Sequence, residues 1–141
     1  MIGTFFINSF IVTAVVLVHY ETLYRLSRLV PKLPILHRLR VLFALFGSLI
    51  AHIVEIWIFG FGYYFMLKLG DYGALSGNFD NSLIDCVYFS FTTYTSLGFG
   101  DIAPLGHVRF LAGLEALTGL VLITWSASFM FIEMQKFWNG R

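Results

Sequence analysis

The chain has 141 residues, 58% hydrophobic and only 12% charged, with nine Lys and Arg against eight Asp and Glu. A soluble domain carries roughly 25% charged residues, and a chain this short has too little interior to hide so much apolar surface; its mean hydropathy of +0.80 calls for lipid. The net charge of +1 identifies no partner by itself, and no nucleic-acid partner is expected.

Ile2–Val18 is the first apolar run, broken only by Asn8, Ser9 and threonines. It sits at the short end of what crosses a hydrocarbon core, and without a basic flank ahead of it reads as a retained span rather than a cleaved signal. The expectation is an N-terminal transmembrane helix over residues 1–20. Residues 21–40 form a basic connector containing Pro31 and Pro34, either a headgroup-level amphipathic helix or a solvated loop. Val41–Met66 is the second apolar run, predicting a helix over 41–68; Gly60 and Gly62 within it read as close-packing residues. Ser82–Thr95 is apolar and aromatic but too short to span, which predicts a re-entrant helix over 82–95. Asn81 and Ser82 are its cap candidates, and Ser82 with Asp85 has the spacing of a capping signal. Phe110–Ile132 is the third run, predicting a helix over 107–134 and a short tail over 135–141. The fold class is therefore an all-α membrane protein with three transmembrane helices plus a re-entrant helix and loop. Cys86 is the lone cysteine, so no intrachain disulfide forms.

Basic residues set the orientation. Arg25, Arg28, Lys32, Arg38 and Arg40 lie between the first two spans, and Lys136 and Arg141 follow the third, seven of the nine Lys and Arg in all. This side reads as cytoplasmic, in a plasma (inner) membrane, with the N-terminus outside and the C-terminus inside. The opposite segment, 70–108, carries Asp71, Asp80, Asp85 and Asp101 and no Lys or Arg; a mouth of that sign concentrates cations.

Between the re-entrant helix and the third span stands Thr92-Thr93-Tyr94-Thr95-Ser96-Leu97-Gly98-Phe99-Gly100-Asp101. Two glycines flanking an aromatic, after a run of hydroxyl residues, suit a backbone that turns its carbonyls toward an axis. Residues 85–104, DCVYFSFTTYTSLGFGDIAP, resemble the pore-helix and filter segment of the potassium-channel pore-domain family, whose filters replace the hydration shell of the ion with carbonyl oxygens from four copies of one loop. The resemblance covers roughly residues 42–134 and implies a pore domain over 41–134 with a filter at 96–100. It further implies ion contacts at Thr95, Ser96, Leu97, Gly98, Phe99 and Gly100. K+ would sit on the carbonyls of Ser96, Leu97, Gly98 and Phe99 and on the Ser96 hydroxyl. Filter support would come from Tyr88, Phe89, Thr92 and Asp101. Leu97 stands where valine or isoleucine is commonest in the family, and Phe99 where tyrosine is. Without a phenolic oxygen at Phe99, the support is expected to hold by packing more than by polar contacts. Gly119 falls at a hinge position of the pore-lining helix, with close packing as the plainer reading.

Ionisable residues within a bilayer are functional candidates by default. His52 and Glu55 share one face of the second span at i, i+3. Glu115, in the third, should face the re-entrant helix near its threonines. All three are candidate gating or packing groups. No catalytic constellation is present, so no enzyme and no cofactor are expected beyond K+ as permeant ion. His19 and His52 read as lying at different depths, which argues against haem ligation. The expected function is a potassium-selective channel assembled as a homotetramer in lipid. A weakly selective monovalent cation channel and a non-conducting accessory subunit are the alternatives, and an additional regulatory subunit is left open.

Overall fold

The computed structural model describes residues 2–138. Three helices are long and apolar enough to cross a membrane: α1 (Ile2–Leu29), α2 (His37–Leu69) and α4 (Val108–Trp138). The short α3 (Leu83–Tyr94) lies between the last two, flanked by strands β1 (Ala74–Gly77) and β2 (Ile102–Leu105).

α1 runs nine residues past the expected end at residue 20, so the connector is far shorter than 21–40. The reason is a seam. Thr4, Asn8, Ile11, Val15, His19, Leu23 and Leu26 are buried at steps of three or four residues, one continuous helix face. Leu23, Leu26 and Val30 extend it into a cluster with Ala44, against Phe129, Met130 and Phe137. The charges that marked a connector fall on the outer face, where Glu21 and Arg25 pair at i, i+4, 2.7 Å apart. The helix stops where Pro31 enters a 3₁₀ turn, Val30–Lys32. Arg40 closes the short link by donating to the Leu33 carbonyl at 2.8 Å.

α2 begins at His37 rather than Val41 and ends on Gly70, whose φ of 78° is left-handed. Its glycines pack as expected. A Cβ on Gly60 would come within 2.7 Å of Val87 in α3, and one on Gly62 within 2.6 Å of Ile11 in α1. α3 starts as its sequence signals: the Ser82 hydroxyl accepts the Asp85 amide at 3.0 Å. The Asp85 carboxylate reaches back not to Ser82 but to the amide of Asp80, at 2.9 Å. α4 is one helix from Val108 through Trp138, so residues 135–138 continue the helix rather than forming a tail; residues 139–141 lie outside the described part.

The strands were not anticipated. β1 and β2 pair antiparallel, Ala74 opposite Leu105 and Gly77 opposite Ile102. A Cβ at Gly77 would fall 2.1 Å from the Asp101 carbonyl oxygen, so only glycine permits this approach. The ladder ties the chain entering α3 to the chain leaving the loop behind it. The main core gathers Phe59, Tyr63, Met66, Val87, Phe89, Tyr94 and Leu111 at the meeting of α2, α3 and α4, with Ile11 and Val15 of α1 packed on. Outside it, Phe6, Phe10, Phe46, Ile50, Leu117 and Phe131 are exposed, as side chains facing lipid are.

Candidate functional site

At the C-terminal end of α3 the chain leaves helical geometry through a regular alternation. Ser96, Gly98 and Gly100 have φ of 59°, 53° and 82°, whereas Leu97 and Phe99 between them do not have positive φ. Alternation of left-handed residues with residues of negative φ is the backbone pattern that lets successive carbonyls turn to one side instead of alternating as in a β-strand. Glycine takes the left-handed form freely; at Ser96 it costs of the order of 1 kcal/mol. The amides hold the loop from behind. Ser96 N–H donates to Thr93 O and Gly98 N–H to Thr92 O, each at 3.0 Å. Among the described residues, no hydrogen bond reaches the carbonyls of Thr95 through Gly100. A row of unpaired carbonyls at the C-terminal end of a helix, where the helix dipole adds partial negative charge, is a cation-attracting surface.

The residues expected to support the loop divide in two. Tyr88 donates its phenolic hydroxyl to the Asp101 carboxylate at 2.9 Å, so a polar tie spans the loop even though Phe99 has no hydroxyl. Phe89 is buried edge-on against Tyr63, ring centres 5.0 Å apart. Thr92 donates its side chain to the Phe89 carbonyl at 2.9 Å while its own carbonyl takes the Gly98 amide. Leu97 and Phe99 are poorly covered by the described residues: they are 65% and 68% exposed. Beside them a cleft of about 480 Å³ runs between the loop, α3 and α4, lined by Thr92, Ser96, Gly98, Gly100, Ala112 and Ala116.

Glu115 faces α3, though at Ser90 and not at the threonines. It is fully buried, accepting from the Ser90 hydroxyl and, at 2.5 Å, from Tyr63. Position decides this: Ser90 lies on the α3 face turned to α2, where its hydroxyl also sits 2.8 Å from the Ile56 carbonyl, whereas the hydroxyl of Thr95 turns back to its own helix. Gly119 is a contact point. A Cβ there would stand 2.1 Å from the Tyr94 carbonyl oxygen, so α4 touches the end of α3 backbone to backbone.

The pair His52 and Glu55 belongs to a larger set that the sequence did not disclose. Glu55 accepts from Tyr94, lies 3.1 Å from His52 Nδ1, and lies 2.8 Å from His19 Nδ1 on α1. His52 Nε2 meets Ser126 Oγ of α4 at 3.0 Å. The expectation that His19 and His52 lie at different depths is wrong: their rings are 5.2 Å apart. A first span ending near residue 20 put His19 at a membrane edge; the longer α1 brings it level with the middle of α2. The i, i+4 continuation from Val15 to His19 along the buried face was the available signal.

The chain thus presents two apolar spanning helices around a re-entrant helix and a carbonyl-lined loop. Neither a curated protein nor a solved structure matches it. A protein-family model described as an ion channel, of the two-helix pore type typical of potassium channels, matches residues 51–136, which takes in most of α2, all of α3 and the loop, and nearly all of α4. The match covers more than half of the sequence, and the chain belongs to that ion-channel family.

Proposed function

We propose that the protein is a potassium-selective channel in which four copies of the chain surround one pore, with residues 96–100 as the filter. The observation carrying this reading is the alternation of left-handed residues at 96, 98 and 100 together with free carbonyls from Thr95 to Gly100. One such strand offers oxygens to only one side of an ion; a cage that replaces a hydration shell needs four, related by rotation. The exposed Leu97 and Phe99 and the cleft alongside the loop support assembly, because large apolar side chains next to a conduction path need cover. Ser96 would add its hydroxyl at the inner end, and Asp101, held by Tyr88, would mark the outer end. The orientation set by the basic residues has the loop outside and Arg25–Arg40 in the cytoplasm. Conduction is passive, with K+ bound only in transit.

Ion flux into liposomes holding the purified protein tests the reading. Potassium is expected to permeate in strong preference to sodium; equal permeation would instead identify a weakly selective cation channel, with Leu97 the residue to examine. Gly98→Ala is expected to abolish flux while the oligomer persists, because φ of 53° strains any residue with a Cβ. Retained flux in that variant refutes the assignment of the filter.

A further inference from the structure

His19, His52 and Glu55 converge from two helices on a single point. His19 Nδ1 is 2.8 Å from Glu55 Oε1 and His52 Nδ1 is 3.1 Å from Glu55 Oε2. One donor atom from each residue lies within 4.8 Å of the other two. We propose that this trio is a binding site for a first-row divalent transition metal of the zinc class.

Donor chemistry comes first. Two imidazoles and one carboxylate are ligands that zinc accepts in a three-residue site with one open position. A tetrahedral ion at its usual bond lengths holds its donors roughly 3.3 Å apart, against 2.8 and 3.1 Å for the two imidazole–carboxylate pairs and an upper bound of 4.8 Å across the trio. The outer shell is also in place. The Ser126 hydroxyl stands 3.0 Å from His52 Nε2 and 3.5 Å from His19 Nε2. A hydroxyl accepts from two donors, so it can hold both rings with Nε2 protonated and both Nδ1 lone pairs turned to the ion. That is the usual second-shell role of orienting a metal-binding histidine.

Charge makes the second argument. Glu55 and His19 are fully buried, and the ion-pair partners of Glu55 among the described residues are the two histidines alone. A fully buried carboxylate with no Lys or Arg partner among the described residues is an expensive arrangement, and a cation held beside it offsets that cost. The Tyr94 hydroxyl, which donates to Glu55, also lies 2.9 Å from His52 Nδ1, so an ion bound by the trio would take the place of that contact. Of the trio, His52 borders a mostly apolar cleft of about 500 Å³ whose polar lining also includes Ser48, Tyr94, Thr95 and Ser126. Since Tyr94 bonds to Glu55 and directly precedes Thr95, an ion here would sit against the base of the carbonyl loop.

Binding can be measured on the purified, tag-free full chain in detergent, independently of ion flux, so a failure of the channel reading leaves this test intact. Titration with Co2+ is expected to give visible d–d bands that saturate at one equivalent per chain and are bleached by Zn2+. His52→Gln and His19→Gln should each abolish the bands, Ser126→Ala should weaken binding about tenfold, and His107→Gln should match the parent. Absence of saturable bands in the parent overturns the proposal. So do parent-like bands in either histidine variant that elutes as the parent does; the trio is then a hydrogen-bonded pin between helices.

Discussion

Glu115 and Glu55 illustrate two uses of a buried acid. Glu115 joins Tyr63 of α2 and Ser90 of α3 to α4, so three elements share one carboxyl group. Glu115→Leu leaves the Tyr63 hydroxyl stranded and removes a partner from Ser90, at about 1–3 kcal/mol for each buried polar group left unpaired. Glu115→Gln retains an acceptor and a donor in the same volume and is expected to cost less. Thermal unfolding in detergent should rank parent, Gln and Leu in that order; equal midpoints for Leu and parent would show that the acid is dispensable to the fold. The acid was visible in the sequence as an ionisable residue in an apolar run, but its partners were not. Tyr63 and Ser90 are 52 and 25 residues away, and no local periodicity reports which of several nearby hydroxyls a carboxyl reaches. His19 was hidden more thoroughly, because its meaning depends on how far α1 extends.

At the scale of elements, Gly119 and Gly113 make a matched pair on α4. A Cβ at Gly119 meets the Tyr94 carbonyl at 2.1 Å, whereas nothing lies within 4 Å of one at Gly113. Gly119→Ala must push α4 off the end of α3, and since a backbone carbonyl cannot move aside, a loss above about 2 kcal/mol is expected. Gly113→Ala should be neutral, within about 0.5 kcal/mol. Comparing recovery of folded protein and unfolding midpoints for the two variants checks this; equal tolerance would mean that Gly119 serves bending rather than contact. The spanning helices and α3 were legible because apolar run length and the Ser82 cap are local signals. The β1–β2 ladder was not. It joins four-residue strands across the whole re-entrant segment, too short for a period to register, and its close approach at Gly77 depends on tertiary pairing.

For the whole molecule, the exposure of Leu97 and Phe99 predicts that the chain does not stand alone. Mass measurement in mild detergent or nanodiscs should find a tetramer, and a dimer or trimer would overturn the proposed pore. Topology is checked with Ile2→Cys on a Cys86→Ser background. Ile2 is 77% exposed while Cys86 is fully buried, so an impermeant thiol reagent should label position 2 only from the outside. Labelling from the cytoplasmic side alone would invert the orientation derived from Arg25–Arg40.

The seam of α1 has a consequence for how the protein is made. α1 leaves the ribosome before any of the elements that cover its buried face, yet that face carries Thr4, Asn8 and His19. In the growing chain these groups meet lipid or the insertion machinery, each at a cost in hydrocarbon. His19 gains Glu55 only when α2 is complete, and Ser126 only when α4 is. Membrane integration is therefore staged, with α1 held loosely until the later helices close on it. A nascent chain arrested before α2 emerges should be released by alkaline extraction that the finished protein resists, so the histidine that ties the mature bundle together is also what makes its first helix a late arrival.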